Sequence, residues 1–270
     1  MNASRPLRYL ITLWMSFSSL LAGAEAFSPR YDPEDSPVWQ ELKKTVFEQR
    51  AINASANNII RLDISSRAED ASIVPIVLRT IEPQKPERYI KKLWLVIDNN
   101  PSPIGVVFNL TPESGRADIE TRVRVETSTF VRAVAETSDG ELFMDVKTIA
   151  AAGGCSTPGG ADDSTANMGK MKFRLDDDIE LNRPNLAKLM VSHPNFSGMS
   201  KEDKRVQYVK HLVVRYAGRE IMSADIDFTI SKNPSFNFYF LPTEKGELKA
   251  EIVDTNDLKF ETSLAIKPES

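Results

Sequence analysis

Cys155 is the only cysteine in 270 residues, and it lies in the run Ala150-Ala151-Ala152-Gly153-Gly154-Cys155-Ser156-Thr157-Pro158-Gly159-Gly160. A cysteine kept for packing has apolar neighbours. Here the neighbours are small or turn-forming, which favours a mobile, exposed segment. The composition predicts an arm that presents one thiol, with Gly153, Gly154, Gly159 and Gly160 bracketing Cys155. Thiolate is the reactive form, and an unperturbed thiol with a pKa of about 8.5 is only slightly ionised at neutral pH. Activated thiols have a cation or a helix N-terminus close by. No Lys, Arg or His occurs between Thr148 and Gly169, and Asp162 and Asp163 have the opposite sign. The run therefore offers a reachable thiol without local activation, which suits a carrier whose partners supply the charge. From Ile149 to Cys155 an extended chain reaches about 20 Å. The alternative is an incidental cysteine in a domain linker, which the flanking glycine pairs make less attractive.

Other chemistry is poorly supported. The two histidines are His193, in Val191-Ser192-His193-Pro194 at the end of a strand pattern, and His211, in Tyr208-Val209-Lys210-His211-Leu212. Neither is near Cys155 in sequence, and no local pattern known for cysteine nucleophiles appears. There is no paired-cysteine spacing, no His-x-x-x-His and no His-Glu-x-x-His, so no metal residue is assigned. Asp176-Asp177-Asp178 lacks the ordered oxygen ligands and glycine of a calcium loop. The glycine pairs lack the strand-before, helix-after setting of a phosphate cradle, so no cofactor is implied. A net charge of -4 argues against nucleic acid as a partner.

The elements that must position the thiol follow from periodicity. Arg5 and Arg8 precede an apolar run over 9–21, followed by the small-x-small triplets Ala22-Gly23-Ala24 and Ala24-Glu25-Ala26. This predicts a cleaved leader over 1–26 and export to the periplasm, with a membrane anchor as the alternative. No later stretch approaches the roughly 18 to 20 apolar residues of a membrane span, so no membrane contact is expected after cleavage. In an oxidising compartment a lone cysteine suggests an intermolecular bond or a reactive thiol. Ser36-Pro37 reads as an N-cap and first helical position, opening a short helix to about Gln49 with Trp39, Leu42 and Val46 on one face. Packing is the favoured role for Trp39.

From Ile59 the period becomes two, with strands expected over 59–64, 72–81, 91–98, 104–110, 117–126, 129–137 and 141–149. Pro75 argues for an edge strand or a bulge. Seven short strands separated by turns suggest an antiparallel sandwich over 27–150. The cysteine arm and a Gly-rich flexible linker occupy 151–170. A second, smaller sandwich over 171–270 has strands expected at 171–181, 188–192, 208–216, 220–226, 234–241, 248–254 and 259–266. The expected fold is all-β, two sandwiches with a short N-terminal helix.

Gly153-Gly154-Cys155 after a sandwich pattern resembles the carboxy-terminal Gly-Gly-Cys-Gly-Gly arm of the SoxY family, the thiol-bearing subunit of the periplasmic sulfur-oxidation carrier. Further similarity lies in Ala68-Glu69-Asp70-Ala71-Ser72-Ile73-Val74-Pro75-Ile76, Asp98-Asn99-Asn100-Pro101-Ser102-Pro103, Phe108-Asn109-Leu110-Thr111-Pro112 and Ala133-Val134-Ala135-Glu136-Thr137-Ser138-Asp139-Gly140. The second half is similar to SoxZ, the partner subunit, in Ser192-His193-Pro194 with Ser197-Gly198, and in Ile230-Ser231-Lys232-Asn233-Pro234. The resemblance implies an immunoglobulin-like β-sandwich in each half. It also implies covalent carriage of a sulfur intermediate on Cys155, as in thiosulfate oxidation, by a protein that is not itself an enzyme. Implied partners are periplasmic redox enzymes: a c-type cytochrome, a hydrolase or a quinoprotein dehydrogenase. The fused arrangement is similar to the group associated with quinoprotein (PQQ-dependent) alcohol dehydrogenases. Two features depart from the family pattern. The arm is held at both ends, and Cys155-Ser156-Thr157-Pro158 replaces Cys-Gly-Gly, with Pro158 stiffening the return path. The cargo therefore stays open, as does a second reading, a non-covalent binding or assembly module for a periplasmic dehydrogenase.

Overall fold

The computed structural model describes residues 32–54, 59–81, 83–157, 165–175 and 178–267. The expected leader over 1–26, Gly159, Gly160, Asp162, Asp163, Asp176 and Asp177 lie outside these residues. In the first half the strands are β1 (Ile52–Ala54), β2 (Ile60–Asp63), β3 (Val74–Thr80), β4 (Ile90–Ile97), β5 (Ile104–Leu110), β6 (Ile119–Val123), β7 (Thr127–Thr137) and β8 (Leu142–Ala152). The second half has β9 (Met171–Leu175), β10 (Asn185–Val191), β11 (Phe196–Ser197), β12 (Val206–Gln207), β13 (Val209–Tyr216), β14 (Arg219–Ile226), β15 (Ser235–Phe240), β16 (Gly246–Asp254) and β17 (Lys259–Ile266). Among the described residues the chain is all-β apart from one short helix, α1 (Pro37–Thr45), and brief 3-10 turns.

The strands form on the alternation read from sequence. In β15, Phe236, Phe238 and Phe240 point inward and are buried, whereas Ser235, Asn237 and Tyr239 are only partly covered. Pro75 occupies an interior strand, β3, but β2 pairs with that strand only from Val77 to Thr80. On that side Pro75 has no neighbour to receive the N–H it lacks, so the edge requirement is met locally. The helix opens as expected, with Ser36 Oγ accepting from the Trp39 amide at 3.4 Å. It ends at Thr45, short of Gln49, because Glu48 and Gln49 take positive φ values of 52° and 59°, which no right-handed helix accommodates.

Two sheets carry the architecture. One has nine strands in the order β1-β8-β7-β4-β5-β14-β13-β16-β17, and the other has six in the order β2-β3-β6-β15-β10-β9. Beyond the linker expected between them, the halves are joined by strand pairing: β5 pairs antiparallel with β14 from Val106↔Ile226 to Leu110↔Met222. In the other sheet β6 pairs with β15 through Ile119↔Phe238 and Glu120↔Asn237. Both sheets thus run unbroken from one half into the other. The core runs with them as one cluster. Phe108 of β5 meets Phe236 of β15 edge to face at 6.2 Å, and Tyr216 of β13 meets Phe240 at 5.3 Å.

The nine-stranded sheet is covered on its outer face as well. Leu93, Leu95 and Ile97 of β4 enter the main core, while Trp94 and Val96 face outward to join Trp39, Phe47, Val134 and Leu142. Trp39 is fully buried, in the packing role expected for it. Beneath the N-terminal segment, Arg132 grips Asp98 with two bonds of 2.8 and 2.7 Å, donates to the Pro33 carbonyl at 2.7 Å and lies 4.5 Å from the centre of the Trp39 ring. Both members of this pair are buried, so removing either strands a charge, at a cost of about 3–5 kcal/mol.

Because sheets and core cross the seam, the halves are expected to unfold together. Calorimetry of the full chain should show one transition with matching calorimetric and van't Hoff enthalpies. Two resolved transitions would mean that the halves fold separately.

Candidate functional site

The site is built where β6 ends against the second half. Arg124 donates its amide to the Thr229 carbonyl at 2.7 Å, and its Nη1 to the carbonyls of Phe228 and Ile230 at 2.7 and 2.8 Å. The Val125 amide donates to the Ala71 carbonyl at 2.8 Å. Buried Asn100 fixes the backbone on both sides of Val125. Its Nδ2 donates to the Arg124 carbonyl at 2.8 Å, and its Oδ1 accepts from the Glu126 amide at 2.9 Å.

Strand β8 runs through Ala152, two residues into the stretch expected to be the arm, and the chain then turns at Gly153 with a φ of 72°. Only glycine takes that conformation without strain. The amides of Gly153 and Gly154 donate to the carbonyls of Glu126 and Val125 at 2.6 and 3.1 Å. At Gly154 a Cβ would collide with the carbonyl oxygens of Ala71 and Val125. Next, the Glu126 carboxylate collects the turn: Oε2 accepts from the Cys155 and Ser156 amides at 2.7 and 3.0 Å, and Oε1 accepts from the Ser156 hydroxyl at 2.8 Å. From the second half, Ser197 Oγ donates to the Cys155 carbonyl at 2.7 Å.

These contacts overturn the expected exposure of the thiol. Cys155 is free and only 1% exposed. The small residues that suggested mobility are the ones that let the chain slot against two backbone carbonyls, and every amide in the turn from Gly153 to Ser156 finds an acceptor. The absence of activation does hold in three dimensions. Burial, and then the Glu126 and Asp227 carboxylates, push the thiol up to about 12, against a smaller opposing effect from Arg124. The cavity beside the arm, bordered by Arg124, Thr157, Ser197 and Lys232, is about 50 Å³. That admits water rather than a substrate.

Neither histidine hydrogen-bonds Cys155. His193 is fully buried; its Nδ1 accepts from the Asn195 amide at 3.1 Å, and Nε2 faces Asp254 Oδ2 at 3.5 Å. His211 is a partly exposed strand residue bonded to Asp225 at 2.9 Å. Asn100 and Ser197 fall within fragments that carry the family resemblance, but nothing there marks them for the arm, and Glu126 has no sequence signal at all. Ser197 lies on β11, whose pairing with β12 is too short to leave a periodic pattern.

Residues 43–155 match the family model described as sulfur oxidation protein SoxY, and residues 174–265 match that described as sulphur oxidation protein SoxZ. The first match ends on Cys155 itself. Among solved structures, the chain is similar to the sulfur carrier protein SoxY from Chlorobium limicola f thiosulfatophilum, with 18% identity over 42% of this chain and 91% of that one and a TM-score of 0.36. Superoxide reductase (neelaredoxin) from Ignicoccus hospitalis gives 13% identity, 37% and 94% coverage and a TM-score of 0.32. The fibronectin(III)-like modules of Clostridium thermocellum CbhA give 12% identity, 77% and 94% coverage and a TM-score of 0.24. No curated protein matches the chain.

Burial disfavours the charged imidazole of His193 and takes its pKa below the ordinary 6.5, although Asp254 and Asn195 oppose the shift. As pH falls through 6.5 the unfolded chain takes up this proton before the folded one, so stability is lost in that direction. The urea midpoint is expected to be lower at pH 5.5 than at pH 7.5, with a smaller difference in His193→Gln. Equal midpoints for the native protein would mean that His193 titrates freely.

Proposed function

We propose that this chain, which belongs to the SoxYZ sulfur-oxidation family and joins a SoxY and a SoxZ domain in one polypeptide, is a covalent carrier. It holds a sulfur-containing intermediate on Cys155 while partner enzymes act on it, and is not itself a catalyst. The observation that carries this reading is the SoxY match, which runs to the sole cysteine of the chain. The carrier reading entails two states. In the docked state the thiol is buried and its pKa is raised to about 12, so almost no thiolate is present at neutral pH. With the arm lifted, the thiol returns towards an ordinary value of about 8.5 and a partner's cation completes the activation.

Loading also dictates the class of partner. Coupling the Cys155 thiol to the terminal, thiolate-like sulfur of an anion such as thiosulfate makes an S–S bond and releases one proton and two electrons. A redox partner must take those electrons, and a c-type cytochrome has that capacity. A hydrolase or a quinoprotein dehydrogenase fits later steps. The setting in this reading is the periplasm, reached through the leader over 1–26. Burial of Cys155 favours a second reading, in which the chain is a non-covalent binding or assembly module for a periplasmic quinoprotein dehydrogenase.

Intact mass measurement on protein isolated from its native host separates the two. The carrier reading expects an adduct on Cys155 that disappears in Cys155→Ser, together with loss of sulfur-dependent electron flow. Unmodified protein whose Cys155→Ser variant keeps its physiological role would sink the carrier and leave the assembly module.

A further inference from the structure

We propose that Glu126 is the positioning residue of the carrier arm: its carboxylate latches the turn at Cys155 against the seam between the two halves, and the thiol becomes available only when that latch opens. The inference rests on the proposed carrier role of Cys155 and adds how the thiol is withheld.

Among the described residues, the hydrogen bonds of the Glu126 carboxylate all go to the arm, two from backbone amides and one from the Ser156 hydroxyl. Bonds to an ionised acceptor are roughly twice as strong as neutral ones, so three on one side chain make a firm but local hold. The latch is itself rigid. The Glu126 amide is tied to Asn100 at 2.9 Å, and its carbonyl accepts from Gly153 at 2.6 Å. Ser197 clamps the Cys155 carbonyl from the opposite half at 2.7 Å, so the turn is held from both sides of the seam.

Ser156 gives the latch a signature in the sequence. A glycine after the cysteine, as in the Gly-Gly-Cys-Gly-Gly pattern, leaves Glu126 Oε1 without its bond. The serine that replaces it supplies that bond. The same carboxylate has a second effect. Its charge opposes ionisation of the neighbouring thiol, so one residue both hides the sulfur and keeps it protonated. Lifting the turn away from Glu126 relieves both constraints at once.

The test is the rate at which Cys155 reacts with a small aromatic disulfide in the folded full-length protein, measured across pH. Gly154→Ala serves as the undocked reference, because its Cβ cannot fit between the Ala71 and Val125 carbonyls. Glu126→Ala is expected to react at least tenfold faster than the native protein, a difference of about 1.4 kcal/mol in the opening equilibrium. Glu126→Gln, uncharged and with one acceptor oxygen left, should fall between them, and Ser156→Gly should gain about two- to threefold in rate. The midpoint of the pH–rate profile should move towards about 8.5 in the Glu126 variants, while the urea midpoint of Glu126→Gln stays near that of the native protein. If Glu126→Ala does not fold, Glu126→Gln and Ser156→Gly carry the comparison. Labelling at the native rate with an unchanged pH profile in the variants overturns the latch. So does native protein that already reacts as fast as Gly154→Ala. These outcomes are independent of the carrier reading: unmodified protein from the host defeats the carrier and leaves the labelling result intact, whereas unchanged labelling defeats the latch alone.

Discussion

When β5 pairs with β14 and β6 with β15, each half gives up edges that would otherwise be exposed templates for association. The consequence reaches every other feature of the molecule. Phe108 and Phe236 can share a core only because their strands lie in facing sheets on either side of the seam. Arg124 reaches the carbonyls of Phe228 and Ile230 because that pairing brings the end of β6 against the second half. The floor on which the cysteine turn rests is therefore made by both halves together, and neither provides it alone.

The thiol and its surroundings show how a run of small residues can be held close without much apolar packing. Gly153 supplies a positive φ and Gly154 a close approach to backbone carbonyls, while the same lack of side chains leaves little apolar surface to hold the turn down. Its retention depends mainly on hydrogen bonds, which are directional and can be exchanged for bonds to water or to a partner. The pair of Arg132 and Asp98 is the opposite case. It is buried, bidentate and stacked on Trp39, which suits a fixed support for the N-terminal segment and not a moving part.

Much of the fold was legible because period-two alternation survives wherever one face of a strand is buried. The strand expected over 234–241 matches β15, with alternate phenylalanines buried, and the bounds of β5 are those expected. Trp39 was readable as packing from its helical spacing. The seam was not legible, since alternation reports which face is buried but not which strand lies alongside. The helix was overextended because nothing in the composition reveals the positive φ at Glu48 and Gln49. The docked thiol escaped for a deeper reason. A run of Ala, Gly, Ser and Thr is compatible with both mobility and close fit, and the residue that decides between them, Glu126, lies 29 residues before Cys155. A carboxylate at a strand end has no pattern that marks it as an acceptor for a distant turn.

The segment between β8 and β9 both carries Cys155 and links the two halves. Two binding surfaces joined by a short stretch of chain meet at an effective concentration on the order of millimolar, so the seam stays closed at dilutions where separate subunits of modest affinity would part. Stoichiometry is fixed at one to one by the covalent link. The arrangement also limits travel, because a loop anchored at both ends sweeps a smaller volume than a free terminus of equal length. In the proposed carrier role, a partner must then approach the seam closely and present its own reactive centre at the surface, which selects for shallow, accessible active sites.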